Sequence, residues 1–153
     1  MSFQTDYSTA LIFYAVDSDF RDIGIAVVEF ASCLITKFGY PNEEAIHGHP
    51  LYSQGLEQCS FYEVLNPTWL AEINDQNRVS FQKWEGYSAR HFIVTFHDST
   101  FECLARCMEI AVVNRPMDDV VPEVARHTYR ADDEGILSNL GRAGFVFEWS
   151  GRA

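Results

Sequence analysis

Residues Arg90–Met108 read RHFIVTFHDSTFECLARCM. Two runs rich in β-branched and aromatic residues flank His97-Asp98-Ser99, and Phe92, Val94 and Phe96 alternate with His91, Ile93, Thr95 and His97. Alternation with a period of two is the mark of a strand with one buried face. Asp98-Ser99 suits a two-residue turn, because an Asp side chain bonds its own backbone in turn geometry. That turn sets Phe96 opposite Phe101, Val94 opposite Cys103 and Phe92 opposite Ala105. All are apolar or small, so one hairpin face is consistently hydrophobic. On the other face Thr95 opposes Glu102, His97 lies diagonal to Glu102, Ile93 opposes Leu104, and His91 opposes Arg106.

This polar face supplies the candidate catalytic residues His97, Asp98 and Glu102. A carboxylate on a neighbouring strand orients an imidazole for general-base chemistry and favours its charged form. A purely structural role is the primary reading: His97 and Asp98 as turn hydrogen-bonders, Thr95–Glu102 as an ordinary cross-strand pair.

Upstream, Phe38–Gln58 is punctuated by Gly39, Pro41, Asn42, Gly48, Pro50 and Gly55 and reads as a long ordered loop. Loops of that length in compact domains are commonly functional or peripheral. It carries His47 and His49, an H-x-H pair whose imidazoles project to one side of an extended chain. They are the candidate metal ligands, with His97, Asp98 or Glu102 completing a site for a divalent transition metal such as zinc if the loop folds over the hairpin. The primary reading is a backbone role for the segment, set by Gly48 and Pro50, with no cofactor, and the metal site is the alternative.

Thr9–Val16 (TALIFYAV) reads as a strand ending at Asp17-Ser18-Asp19. In Ile23–Phe38, residues Ile23, Val27, Phe30, Leu34 and Phe38 recur at helical spacing. The density of β-branched and aromatic residues, with Gly24 near the start, favours strand instead. Ser60–Leu65 reads as a further strand. At Asn66-Pro67-Thr68-Trp69, Asn66 is placed to cap a helix and Pro67 fits its first position. Trp69, Leu70 and Ile73 give that helix, expected to reach about Gln76, an apolar face. Asp118–Arg130 has helical character interrupted by Pro122. Asp132–Leu140 reads as a short helix and Phe145–Trp149 as a final strand.

The expected fold is therefore α+β: a mainly antiparallel sheet with helices on one face. Neither linker nor repeat divides residues 1–153, which read as a single domain of a size that buries its own core. Aromatics make up 14% of the chain, a level that leans towards sheet and is compatible with a homodimer. No apolar run is long enough for a transmembrane helix. The segment before the first apolar run lacks a basic residue, which argues against a secretory signal, so the expected location is the cytoplasm. Cys33, Cys59, Cys103 and Cys107 then read as buried, reduced thiols. Cys103 and Cys107 on one strand would be about 13 Å apart, too far to bridge. Cys59 and Cys103 sit in apolar sequence and are expected to be buried and inert. No nucleophile elbow, Walker A or dinucleotide fingerprint occurs.

Net charge is −11 and unevenly spread. Residues 1–77 hold eleven acids against Arg21 and Lys37 alone, whereas residues 78–153 hold eleven acids against nine bases. Such a chain is repelled by phosphate backbones and anionic membranes, so neither nucleic acid nor membrane is an expected partner. An acidic N-terminal half suits a basic protein partner, or simply maintains solubility.

FGYPNEEAIHGHPLY (Phe38–Tyr52) and HFIVTFHDSTFECLA (His91–Ala105) resemble blocks of a bacterial family of small uncharacterised proteins. The two blocks make up about a fifth of the chain. It implies a bacterial origin and carries over no activity and no functional residues. The primary functional expectation is a non-catalytic interaction or regulatory protein of immunity or regulator type, with a small metal- or His-assisted hydrolase as the alternative.

Overall fold

The computed structural model describes residues 1–17, 19 and 21–129. The expected C-terminal helix over Asp132–Leu140 and strand over Phe145–Trp149 lie outside the described residues. Six strands form one antiparallel sheet: β1 (Ser2–Gln4), β2 (Ser8–Val16), β3 (Asp22–Gly39), β4 (Phe61–Val64), β5 (Arg90–Thr95) and β6 (Thr100–Val113). Their order is β1-β2-β3-β6-β5-β4. Two helices, α1 (Thr68–Ser80) and α2 (Met117–Tyr129), complete the described α+β fold. The ambiguous Ile23–Phe38 segment is strand throughout, as its β-branched density implied.

The chain divides into two compact units. One contains Met1–Cys33 and the described residues from Cys107 onward; the other contains Leu34–Arg106. In the first, β2 and β3 pair from Ser8↔Ala31 to Val16↔Asp22, with an irregularity between Ala15 and Val16. Gly24 sits there at φ +123°, and a Cβ built on it would lie 2.6 Å from the Val113 carbonyl oxygen. Only glycine accommodates both the left-handed backbone and that close approach. Helix α2 presents Val120, Val124 and Thr128 at helical spacing and buries them. The two valines join Ala10, Ile12, Ile25, Val27 and Val113 in one core cluster. Burial on both sides of Pro122 carries the helix through that residue, where the sequence suggested an interruption.

In the second unit the long loop is organised rather than extended. After β3 ends at Gly39, Glu43–Gly48 and Tyr52–Gln54 form short 3-10 turns. Asn42 caps the first, its Oδ1 accepting from the Ala45 N–H at 3.2 Å. Ile46 and Leu56, with half-buried Leu51, pack on Tyr62, Val64 and Ile93. Helix α1 begins one residue later than expected. Asn66 is left-handed at φ 52° and Pro67 is the cap residue without a side-chain bond, so Asn66 does not cap. The helix also runs past Gln76 to Ser80.

The hairpin register differs from the sequence reading by two residues. Observed pairs are Arg90↔Ala105, His91↔Leu104, Phe92↔Cys103, Ile93↔Glu102, Val94↔Phe101 and Thr95↔Thr100. Residues 96–99 form the connection, closed by Phe96 N–H donating to the Ser99 carbonyl at 2.8 Å. A slip of two leaves every side chain on its expected face but exchanges its partner. The apolar face therefore survives, and the polar pairs change.

Candidate functional site

The site is built on the register just described. Glu102 opposes Ile93, so its diagonal neighbour across the ladder is His91, at a spacing that long side chains bridge. His91 Nε2 lies 2.8 Å from Glu102 Oε2, and both side chains are largely buried. An ionised carboxylate only accepts hydrogen bonds, so His91 carries its proton on Nε2 and donates.

The second carboxylate oxygen meets the organised loop. His49, which closes the first 3-10 turn, places Nε2 3.6 Å from Glu102 Oε1. Its other ring nitrogen, Nδ1, accepts the Leu51 backbone N–H at 3.2 Å. That bond puts the proton of the neutral ring on Nε2, aimed at Glu102. Lys37, near the end of β3, approaches Oε1 to 3.9 Å. Its Nζ also lies 3.7 Å from the centroid of Trp69, within cation–π range. Trp69 is the buried residue of α1, and its ring meets His91 edge-on with centroids 5.2 Å apart.

Three segments thus converge on one carboxylate: the loop through His49, β3 through Lys37 and β5 through His91. Helix α1 joins through Trp69. Burial pushes the Glu102 carboxyl up, but the His91 hydrogen bond and the electrostatic attraction of Lys37, His91 and His49 outweigh it. The net effect holds Glu102 below its ordinary value. Chemically this is an ionised, half-enclosed carboxylate surrounded by donors.

His97 and Asp98 do not join it. They form an exposed pair in the turn, with His97 Nδ1 2.8 Å from Asp98 Oδ1 and Nε2 3.0 Å from Glu43 Oε1. The Asp98 hydrogen bond, followed by the charges of Glu43, Asp98 and Glu44, raises the His97 pKa above its ordinary value. The loop does reach the Asp98 turn, through its first residues: Glu43 N–H donates to the His97 carbonyl at 3.0 Å, and Thr100 Oγ1 donates to the Pro41 carbonyl at 2.8 Å.

His47 and His49 part company. His47 is exposed with its ring 6.4 Å from that of Tyr52, and His49 is buried against Glu102. The 3-10 turn breaks the extended geometry that would have projected both to one side. Among the described residues no group of three or more His, Cys, Asp or Glu is arranged to hold a metal ion.

Thr95, expected beside Glu102, pairs with Thr100 and is buried. Its Oγ1 accepts from the Ser60 N–H and donates to the Glu57 carbonyl, both at 2.8 Å, tying the end of the loop to β5. Cys59 is exposed at φ 50° rather than buried, because it lies in the bend that this tie creates, and Cys107 on β6 is exposed as well. The sequence reading missed His91, Lys37 and Trp69 as site members. The available signal was the alternative hairpin register, which places His91 diagonal to Glu102.

Comparison with protein-family models, curated proteins and solved structures gives no match.

Proposed function

We propose that this is a cytoplasmic, non-catalytic interaction protein that uses the carboxylates of its N-terminal half against a basic protein. One observation carries the reading. Both cationic side chains of residues 1–77 are engaged by carboxylates of the same chain: Arg21 with Asp19 at 3.4 Å, and Lys37 with Glu102 at 3.9 Å. The exposed carboxylates of Asp6, Asp22, Glu44, Glu57 and Glu72 therefore present a surplus of negative charge outward. Such a surplus steers association with cationic surfaces. Exposed tyrosines accompany it, with Tyr7 at 75% and Tyr40 at 88% exposure. Tyrosine offers a large amphipathic contact area at protein interfaces.

The Glu102 cluster fits this reading as a structural centre. Its donors secure the loop and α1 to the hairpin, and its histidines are buried.

Affinity capture from a lysate of the native cell tests the reading. The expected result is a basic protein, released as ionic strength rises to roughly 0.5 M, where screening shortens to a few ångströms. Reversing Asp22, Glu44 and Glu57 to lysine should abolish its capture. A partner held through high salt and unaffected by charge reversal would overturn the proposal.

A further inference from the structure

Strand β2 is paired on its outer side along only part of its length. β1 pairs with Thr9–Leu11, and Met1 completes the ribbon. Ile12 N–H donates to the Met1 carbonyl at 2.8 Å, and the Met1 ammonium donates to the Ile12 carbonyl at 2.8 Å. In an antiparallel ladder the groups facing one neighbour recur at every second residue. The next outward-facing N–H and C=O groups are those of Tyr14 and Val16. Among the described residues no strand lies alongside them.

The side chains at this edge are exposed as well. Tyr14 and Val16 project to the same sheet face as Ala10 and Ile12, yet are 66% and 48% exposed. Ile23, at the irregular end of the β2–β3 pairing, adds a third exposed apolar side chain. The adjoining tip carries Asp17, Asp19 and Asp22, with Arg21 engaged by Asp19.

We propose that Tyr14–Val16 is a docking edge for an extended segment of a basic protein, added as a short strand in line with β1. The proposal rests on the reading above that the partner is basic, and locates where it binds. An open edge is a template for backbone pairing, and strand addition draws its affinity from main-chain bonds. Tyr14 and Val16 receive alternate apolar side chains of the incoming segment. The carboxylates of Asp17 and Asp22 select lysine or arginine beyond them. A second copy of this chain would bring the same carboxylates to the edge and is disfavoured by like-charge repulsion. The contact is short, which suits a transient complex.

The test uses the full chain, labelled with nitrogen-15, and a capped peptide alternating valine and lysine. Two control peptides share its length: one with every backbone nitrogen methylated, one with glutamate replacing lysine. Backbone methylation removes the donors but keeps side chains and charge. The expected result is that the lysine peptide slows hydrogen exchange of the Tyr14 and Val16 amides by about tenfold or more. Neither control should do so. Equal protection by the methylated peptide overturns the docking edge. Salt-sensitive binding of the lysine peptide that leaves both amides unprotected overturns the edge alone, and the acidic-surface reading stands. Failure of the lysine peptide to bind at any ionic strength removes both.

Discussion

Two imidazole–carboxylate contacts of equal length sit on one hairpin and have different consequences. His91 meets Glu102 at 2.8 Å with side-chain exposures of 4% and 14%. His97 meets Asp98 at 2.8 Å with exposures of 72% and 90%. The first contact joins two strands and forms part of a network reaching a loop and a helix. The second joins neighbouring residues in a turn that water already solvates. Distance alone therefore says little about what an ion pair is worth. Burial sets the cost of losing a partner, and connectivity sets what moves when it is lost.

The largest expected effect follows from removing the hub. Glu102→Ala leaves His91 and His49 buried without their acceptor, and each buried donor left unsatisfied costs about 1–3 kcal/mol. Glu102→Gln keeps an acceptor oxygen for His91 and should cost less. Urea unfolding of both variants measures this. A loss in Glu102→Ala no larger than that of an average surface substitution would break the contrast between the two contacts.

Acid titration is the next test. The folded-state pKa of Glu102 is held below its ordinary value of 4.5. A carboxyl depressed on folding stabilises the protein above its unfolded pKa, and that stability is lost as pH falls through the folded value. Stability should therefore fall on the acid side of pH 4.5, and this acid limb should be shallower in Glu102→Gln. Unfolding midpoints collected between neutral pH and pH 3 read the difference. Identical acid limbs would mean that other carboxylates dominate acid unfolding.

Lys37→Met is expected to have a smaller effect. The substitution keeps the aliphatic stem against Trp69 and removes the charge above its ring. Partly exposed cation–π contacts contribute about 0.5–1 kcal/mol. Loss of the neighbouring cation should also raise the Glu102 pKa, because Lys37 lowers it. Carbon-13 observation of the Glu102 carboxyl through a pH series measures that movement directly.

The sequence made the faces of this hairpin legible and left its partners obscure. Phe92, Val94, Phe101, Cys103 and Ala105 all occupy the expected apolar face, because a register slip of two conserves parity. The same slip removed Thr95 from Glu102 and brought His91 to it. Turn chemistry at Asp98-Ser99 favoured the tighter connection, whereas tertiary contacts hold a longer one. Thr95 is anchored to Ser60 and Glu57, and the His97 carbonyl accepts from Glu43. Those bonds link residues more than thirty positions apart and leave no local trace. His49 was legible as a site residue, but its pairing with His47 was not sustained. The Asn42 cap winds the segment into a 3-10 turn, and this also turns the rings to different surroundings.

The smallest effect belongs to the exposed pair and carries the opposite sign of pH dependence. The folded-state pKa of His97 is raised above its ordinary 6.5, first by the Asp98 hydrogen bond and then by Glu43 and Asp98 charge. A group raised on folding stabilises the protein fully below its unfolded pKa and loses that contribution as pH rises through the folded value. His97 therefore acts on the neutral-to-alkaline side, and Glu102 on the acid side. Because His97 is open to solvent, His97→Ala should leave the unfolding midpoint essentially unchanged at neutral pH. The titration itself remains visible by proton NMR of the imidazole Cε1–H, with a midpoint above 6.5 in the native protein. Asp98→Asn removes the leading cause and should lower that midpoint, and Glu43→Gln should lower it less. An equal or larger shift in Glu43→Gln would make the loop contact, rather than the turn contact, the main support of the His97 charge.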